Sequence, residues 1–308
     1  MRPNESGTIW FNGQFVAWSD ATVHVATHAL HYATSVFEGL RAYPTPRGPA
    51  IVRLDAHVER LLDSCRIVEL PLRWSASEMR VAILETVRRN AFASSYIRPL
   101  VYRGYGQLGV DPSHCPVDAA VIVIEYGAHF GAGALEQGID VGVSSWRRMA
   151  PDTLPALAKS AANYLNSQLV LLEARANGYT DGVTLDHEGL VAESSGANLF
   201  AVHKGVLRTP SLASSILEGV TRACVMQLAR DLGHEVREER FPREALYTAD
   251  EVFLTGTATE IMPVRAVDRR KIGSGTRGPI THKLQTEYQS ITRGATPDRH
   301  GWLTLVAN

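Results

Sequence analysis

A chain of 308 residues with 45% hydrophobic and 20% charged residues can build one large or two moderate cored domains, which excludes a disordered protein. Its net charge of -1 gives no electrostatic reason for nucleic acid or an anionic membrane surface as a partner. Cys65, Cys115 and Cys224 are dispersed, with no CxxC or Cys/His cluster, so neither a disulfide framework nor a metal site is expected. The N-terminal "MRPNESGTIWFNG" lacks an apolar signal core, and no apolar run reaches the ~20 residues of a membrane span. A cytoplasmic, soluble protein acting on small molecules is the expectation.

The first elements suggest a hairpin, "TIWF" and "QFVAW" joined by Asn12-Gly13, since Asn-Gly accepts the positive φ of a tight turn. "HALHYATSVFEGLRAY" reads as a short helical stretch running through Gly39 into a strand. "RLDAHVERLLDSCRIVEL" puts Leu54, Val58, Leu61, Leu62 and Cys65 on one helical face. "SASEMRVAILETVRRN" starts with Ser75 and Glu78 at capping-box spacing. "SSYIRPLVYRGYG" and "DAAVIVIEYG" read as strands. Glycines gather in "GAHFGAGALEQG", which predicts a boundary between a smaller domain, 1–130, and a larger one, 131–308. Beyond it come a strand in "IDVGVSSW" and a helix whose pattern runs from Leu157 to Ala176, stopped by Asn177-Gly178. Strands follow in "DGVTLDHEGLVAE", "ANLFAVHKGVLRTP", "HEVREERF" and "DEVFLTGTATEIMPV", with a helix in "GVTRACVMQLARDLG". The class is mixed α/β with two domains.

Four places have the makings of chemistry. The 31 Lys and Arg include only four lysines, and Lys159 lies among small residues in "LPALAKSAANYLNS". Apolar surroundings lower a lysine's pKa and free the amine to attack a carbonyl, although alone this residue reads more readily as a surface helical lysine. Gly219 leads into a helix whose first turn holds Val220 and Thr221, where unbonded amides suit a phosphate. Gly256-Thr257-Ala258-Thr259 ends a strand with hydroxyls and small residues, again suited to an anion or to a plain polar turn. Glu193, in "LVAESSGANLF", is an acid able to hold a protonated ring nitrogen, or merely a solvated turn residue. There is no GxGxxG and no Walker loop. A lysine, two anion-friendly loops and a carboxylate are the parts of a pyridoxal-phosphate enzyme.

"HYATSVFEGLRAY", "SYIRPL", "LEQGIDVGVSSW", "AKSAANYLNS", "ESSGANLF", "LEGVTR" and "TGTATEIMPV", in that order, closely resemble the branched-chain amino acid aminotransferases of pyridoxal-phosphate fold type IV. The resemblance runs nearly end to end. It implies a two-domain α+β or mixed α/β fold of the D-amino acid aminotransferase-like type, with the cofactor between the domains. It makes Lys159 the Schiff-base lysine and proton carrier, on an extended segment or loop, with the helix starting nearer Ala161. Glu193 would pair with the pyridine nitrogen, Tyr164 with the phenolic oxygen, and Leu217 with the ring. Arg60, Val220, Thr221 and Thr257 would take the phosphate; nothing in the residue pattern itself marks Arg60 out from the other arginines.

The same resemblance assigns a substrate pocket to Phe37, Gly39, Tyr96, Tyr126 and His129. Arg98 with Tyr32 would receive the distal carboxylate of glutamate, and Ala258 the α-carboxylate. Tyr32 and Val110 would enter from a neighbouring subunit, which requires a homo-oligomer, at least a dimer. Substrates would be leucine, isoleucine or valine with 2-oxoglutarate and glutamate. Leu108, Tyr126 and His129 depart from the family's methionine, tryptophan and tyrosine, which implies a reshaped pocket. The rivals on the same fold are a D-amino acid aminotransferase, an (R)-selective amine transaminase and aminodeoxychorismate lyase. A non-catalytic binder of a phosphorylated metabolite is the rival of another class.

Overall fold

A computed structural model describes residues 7–127 and 133–306. In chain order it forms β1 (Thr8–Phe11), β2 (Gln14–Ala17), α1 (His28–Tyr32), β3 (Ser35–Phe37), β4 (Leu40–Thr45), β5 (Gly48–Val52), α2 (Leu54–Ile67), α3 (Ala76–Asn90), β6 (Ser95–Arg103) and β7 (Val117–Glu125). Then come α4 (Ala134–Gln137), β8 (Ile139–Val143), α5 (Ala161–Ala176), β9 (Asp181–Leu185), β10 (Val191–Ser194), β11 (Asn198–His203) and β12 (Val206–Thr209). The rest are α6 (Val220–Asp231), β13 (Val236–Glu238), α7 (Glu244–Tyr247), β14 (Glu251–Gly256), β15 (Glu260–Val267), β16 (Arg270–Lys271), α8 (Pro279–Thr292) and β17 (Leu303–Leu305). Among the described residues no helix is long and apolar enough to cross a membrane.

The chain packs as two compact units. One takes residues up to Gly127, Ala158–Ala162 and the stretch from Ser290; the other takes the stretch before Ala158 and Asn163–Gln289. The sequence placed a boundary near residue 130 and the lysine after it. In the structure the short segment carrying Lys159 packs with the first unit.

The first unit is built on an antiparallel sheet ordered β17-β5-β4-β6-β7-β1-β2, with β3 also on β6. The Asn12-Gly13 hairpin forms with positive φ at both residues, 50° and 94°, as the tight turn requires. Helices α2 and α3 cover one face of the sheet. Leu54, Val58, Leu61 and Cys65 of α2, with Met79 and Ile83 of α3, pack on Leu40, Ala42, Ile97 and Val121. Strand alternation then turns Arg41, Tyr43, Tyr96 and Arg98 to the opposite face. The capping box at Ser75 and Glu78 is present.

Two readings of local pattern are corrected. Helix α1 stops at Tyr32 rather than running through Gly39, because Ala33 adopts a left-handed cap and the next residues pair with β6. Helix α5 begins at Ala161, not Leu157, because Ser160 is bridged to Val36 in an extended conformation; the start inferred from family resemblance is the observed one.

The second unit holds a mixed sheet ordered β10-β9-β8-β15-β14-β11-β12-β13. Strands β8 and β9, β8 and β15, and β12 and β13 run parallel; the other pairs are antiparallel. Val141, Val183, Leu199, Leu254, Met262 and Val264 form its core with Leu246 of α7. On the reverse face Phe200 and Phe253 stack at 5.0 Å. The pattern reading passed over α8 and β17.

Candidate active site

In the first unit, Lys159 is fixed through its backbone on both sides. Its N–H donates to Ser64 Oγ at 3.0 Å, and its carbonyl accepts the Phe37 N–H at 3.0 Å. Ser160 Oγ donates to the Ser35 carbonyl at 3.2 Å. The main chain is thus anchored to the edge of β3 and to α2, leaving the side chain to project from a defined origin. Lys159 Nζ lies 5.3 Å from the centroid of the Phe37 ring. The small residues around it allow this close docking of one main chain on another.

Helix α2 carries two stripes. Leu54, Val58, Leu61 and Cys65 face the core, while His57, Arg60 and Ser64, at i, i+3 and i+7, form a polar stripe. That stripe meets Glu38, which is wholly buried. Arg60 donates from Nε to Oε1 at 2.6 Å and from Nη2 to Oε2 at 2.9 Å. His57 Nδ1 lies 2.7 Å from Oε2. Burial alone would raise the Glu38 pKa, but Arg60 and then His57 hold it well below the carboxylate range. Burial pushes the His57 imidazole down; Glu38 opposes this, while Arg60 and Lys159 add to it.

The predicted pocket residues of this unit gather on the face of the sheet opposite α2 and α3, where Phe37, Tyr96 and Tyr126 are buried. Arg98 donates to Tyr96 Oη at 2.8 Å, and its guanidinium lies 4.4 Å from the Phe37 centroid. Tyr126 stands 5.6 Å from the Tyr96 ring and 4.8 Å from the Arg41 guanidinium. Gly39 is required by contact: a Cβ there would lie 2.2 Å from Tyr96 Oη. Tyr32 is 40% exposed and stacks on His28, and Val110 is 82% exposed on a neighbouring loop. Leu108 is likewise exposed. His129 lies outside the described residues.

In the second unit, Glu193 is buried rather than solvated. Its Oε1 meets Arg148 Nη2 at 2.9 Å, and its Oε2 accepts from Asn198 Nδ2 at 2.9 Å and from the Leu217 N–H at 3.2 Å. Arg148 is itself fixed by donating from Nε to the Ser215 carbonyl at 3.1 Å. Gly219 is the N-cap of α6 and brings no side-chain cap, so the first amides of the helix, at Val220 and Thr221, are not capped by it. Asn198 also requires Gly219, since a Cβ there would stand 1.8 Å from its Oδ1. Thr257, Ala258 and Thr259 form the turn between β14 and β15, closed by the Gly256–Glu260 pair. Tyr164 is half-buried in the first turn of α5.

Glu38, His57, Ser64, Arg148 and Asn198 escaped the sequence reading. Glu38 had a signal, since an acid in the apolar run "SVFEGL" must find partners if the run is buried. The His57, Arg60 and Ser64 spacing was a second. Arg148 and Asn198 had none, as one lies in a loop and the other opens a strand.

A profile of the amino-transferase class IV family matches residues 35–267. The chain is 48% identical over 307 residues to the branched-chain-amino-acid aminotransferase of Escherichia coli (strain K12), spanning 99% of both chains. It is 44% identical over 303 residues to the Pseudomonas aeruginosa protein of the same name, spanning 98% of both. Among solved structures, the Escherichia coli enzyme superposes with a TM-score of 0.96 at 48% identity, covering 98% of this chain and 100% of that one. The branched-chain amino acid aminotransferase from Thermobaculum terrenum, in its PLP-form, superposes at 0.92 and 35% identity, covering 99% and 100%. The chain therefore belongs to the class IV aminotransferase family.

Proposed function

We propose that this protein is a pyridoxal-phosphate-dependent transaminase that moves the amino group between leucine, isoleucine or valine and 2-oxoglutarate. The observation that carries the reading is Lys159, a lysine whose backbone is tied on both sides in a chain 48% identical to branched-chain-amino-acid aminotransferases. The donor set fits the cofactor: one anchored amine, one buried carboxylate, an arginine on a rigid helix and an N-terminus without a side-chain cap. When bound, pyridoxal phosphate supplies the electron sink that makes the substrate Cα–H acidic.

The protein's own residues do the rest. Lys159 would hold the cofactor through its amine and would carry the substrate's Cα proton. Glu193, its carboxylate fixed by Arg148, Asn198 and the Leu217 amide, would hold the protonated ring nitrogen. Tyr164 would bind the phenolic oxygen, and Leu217 would pack on the ring. Arg60, the amides at Val220 and Thr221, and Thr257 would hold the phosphate. Phe37, Gly39, Tyr96 and Tyr126 take an apolar side chain. Arg98, with the partner subunit's Tyr32, takes the distal carboxylate of glutamate, so one site serves both substrates. The turn amide at Ala258 binds the α-carboxylate.

A homodimer belongs to this reading. Val25, Leu30, Tyr32, Tyr105, Leu108 and Val110 are all exposed large apolar residues on two segments that His28 ties together, its Nε2 bonding the Gly109 carbonyl at 2.9 Å. A second copy would cover them. The three cysteines are buried and form no disulfide, in keeping with a cytoplasmic location.

The test is glutamate formation from 2-oxoglutarate with L-leucine, L-isoleucine, L-valine, D-alanine or (R)-1-phenylethylamine as donor. Turnover with the branched-chain L-amino acids well above the other two is the expected outcome. Turnover with only D-alanine or the amine would move the assignment to a rival on the same fold.

A further inference from the structure

We propose that Glu38 is a positioning residue that aims Arg60 and balances its charge beside Lys159. The proposal rests on the aminotransferase reading and adds to it a residue that touches neither substrate nor cofactor.

Glu38 lies at the turn between β3 and β4, with no exposed surface. Its backbone is fixed by donation of its N–H to the Pro99 carbonyl at 2.9 Å, and the Gly39 N–H donates to its Oε2 at 3.1 Å. A carboxylate stripped of water persists only where fixed donors and a positive charge replace the solvent. Here Arg60 supplies two arms of its fork, and His57 a third bond. A guanidinium held by two arms has a set plane and a set direction, which a lysine or a free arginine lacks.

The same cluster reaches Lys159. The Phe37 N–H, one residue before Glu38, binds the Lys159 carbonyl, and Ser64, four residues beyond Arg60, accepts the Lys159 N–H. Helix α2 thereby links the arginine, its carboxylate partner and the lysine main chain. Charged and titratable groups that the first unit sets near Lys159 include His57 from α2, which feels the amine, with Arg60 and Glu38 joined to it, and Arg98 with Tyr96 from β6 across the Phe37 ring. Burial disfavours the charged His57 imidazole, and because a carboxylate only accepts, Nδ1 is the donor to Glu38. Glu38 is then the one anion that offsets Arg60 among these groups.

The experiment uses the pyridoxal-phosphate-loaded protein. It follows the pH midpoint of the visible absorption band and the dissociation constant for pyridoxal phosphate. Glu38→Gln removes one of the two negative charges that face Arg60, the cofactor phosphate being the other, and should lower the midpoint by about half a pH unit or more, since a less fully balanced cation disfavours a nearby proton. Glu38→Asp keeps the charge but draws it back from the Arg60 fork; it should leave the midpoint within about 0.2 unit and weaken cofactor binding roughly tenfold. A merely structural role moves neither quantity in folded protein. An unchanged midpoint in Glu38→Gln, or unchanged cofactor affinity in Glu38→Asp, overturns the proposal. If the glutamine variant does not fold, the aspartate variant decides through its affinity alone. Unsubstituted protein that binds no pyridoxal phosphate would instead refute the aminotransferase reading, so the two failures are distinguishable.

Discussion

Glu38 in the first unit and Glu193 in the second are both buried carboxylates gripped by an arginine, but their partners come from different kinds of structure. Those of Glu38, beyond the amide of the next residue, are one helical stripe, His57 and Arg60. Those of Glu193 are a loop arginine, a strand asparagine and a loop amide. A helix fixes the spacing of its side chains by its own backbone bonds, so the Glu38 cluster is rigid as soon as α2 docks. The Glu193 cluster exists only after β10, β11 and the segment leading to α6 have all been placed. The first arrangement suits a group that must keep one direction. The second brings donors from three sides and leaves the carboxylate surrounded.

That contrast can be broken by substitution. Lys159→Ala should have the largest effect, a loss of turnover of at least ~10³-fold, since nucleophile and proton carrier are removed together. Steady-state assay beside a circular dichroism spectrum checks it, and a folded variant with ordinary turnover would sink the assignment of the lysine. Glu193→Gln should follow, with kcat down on the order of 10²–10³-fold as for loss of a preorganised electrostatic contact. A drop confined to KM would place Glu193 in binding alone. Gly39→Ala forces a methyl into Tyr96 Oη and disturbs its bond to Arg98. Overpacking of about 1–3 kcal/mol, carried into the pocket, should appear as a roughly fivefold or larger fall in kcat/KM for leucine and glutamate alike. An effect on one substrate only would show that Tyr96 and Arg98 act separately. Ser75→Ala should be the smallest, costing ~1 kcal/mol in urea unfolding with kinetics unchanged, because it removes only the cap of α3.

The parts of the fold that were legible share one property: their signal is local. Asn12-Gly13 needs only the turn's φ angles, and Ser75 with Glu78 needs only one helical turn. The apolar stripe of α2 needs only a period. The start of α5 was misplaced by pattern because alanines and leucine continue a helix as readily as they flank one. What sets the start at Ala161 is Ser160 pairing with Val36, a contact made far along the chain. Likewise α1 yields to β3 because β6 is there to pair with it.

The site divides in the same way. Lys159, Glu193, Thr221 and Thr257 stood out as residue types suited to one cofactor, and the family resemblance added Arg60, Tyr164 and the pocket. Amino-acid order alone determined which side chains with the right chemistry were present and in what succession. Only the tertiary structure decided that Arg60 is held by Glu38, that Ser64 takes the Lys159 amide, and that Arg148 and Asn198 grip Glu193. The reason is that a buried polar group is specified by its partners in space. Water is absent there, every donor and acceptor must be matched, and the matching residue can come from any element the fold brings near.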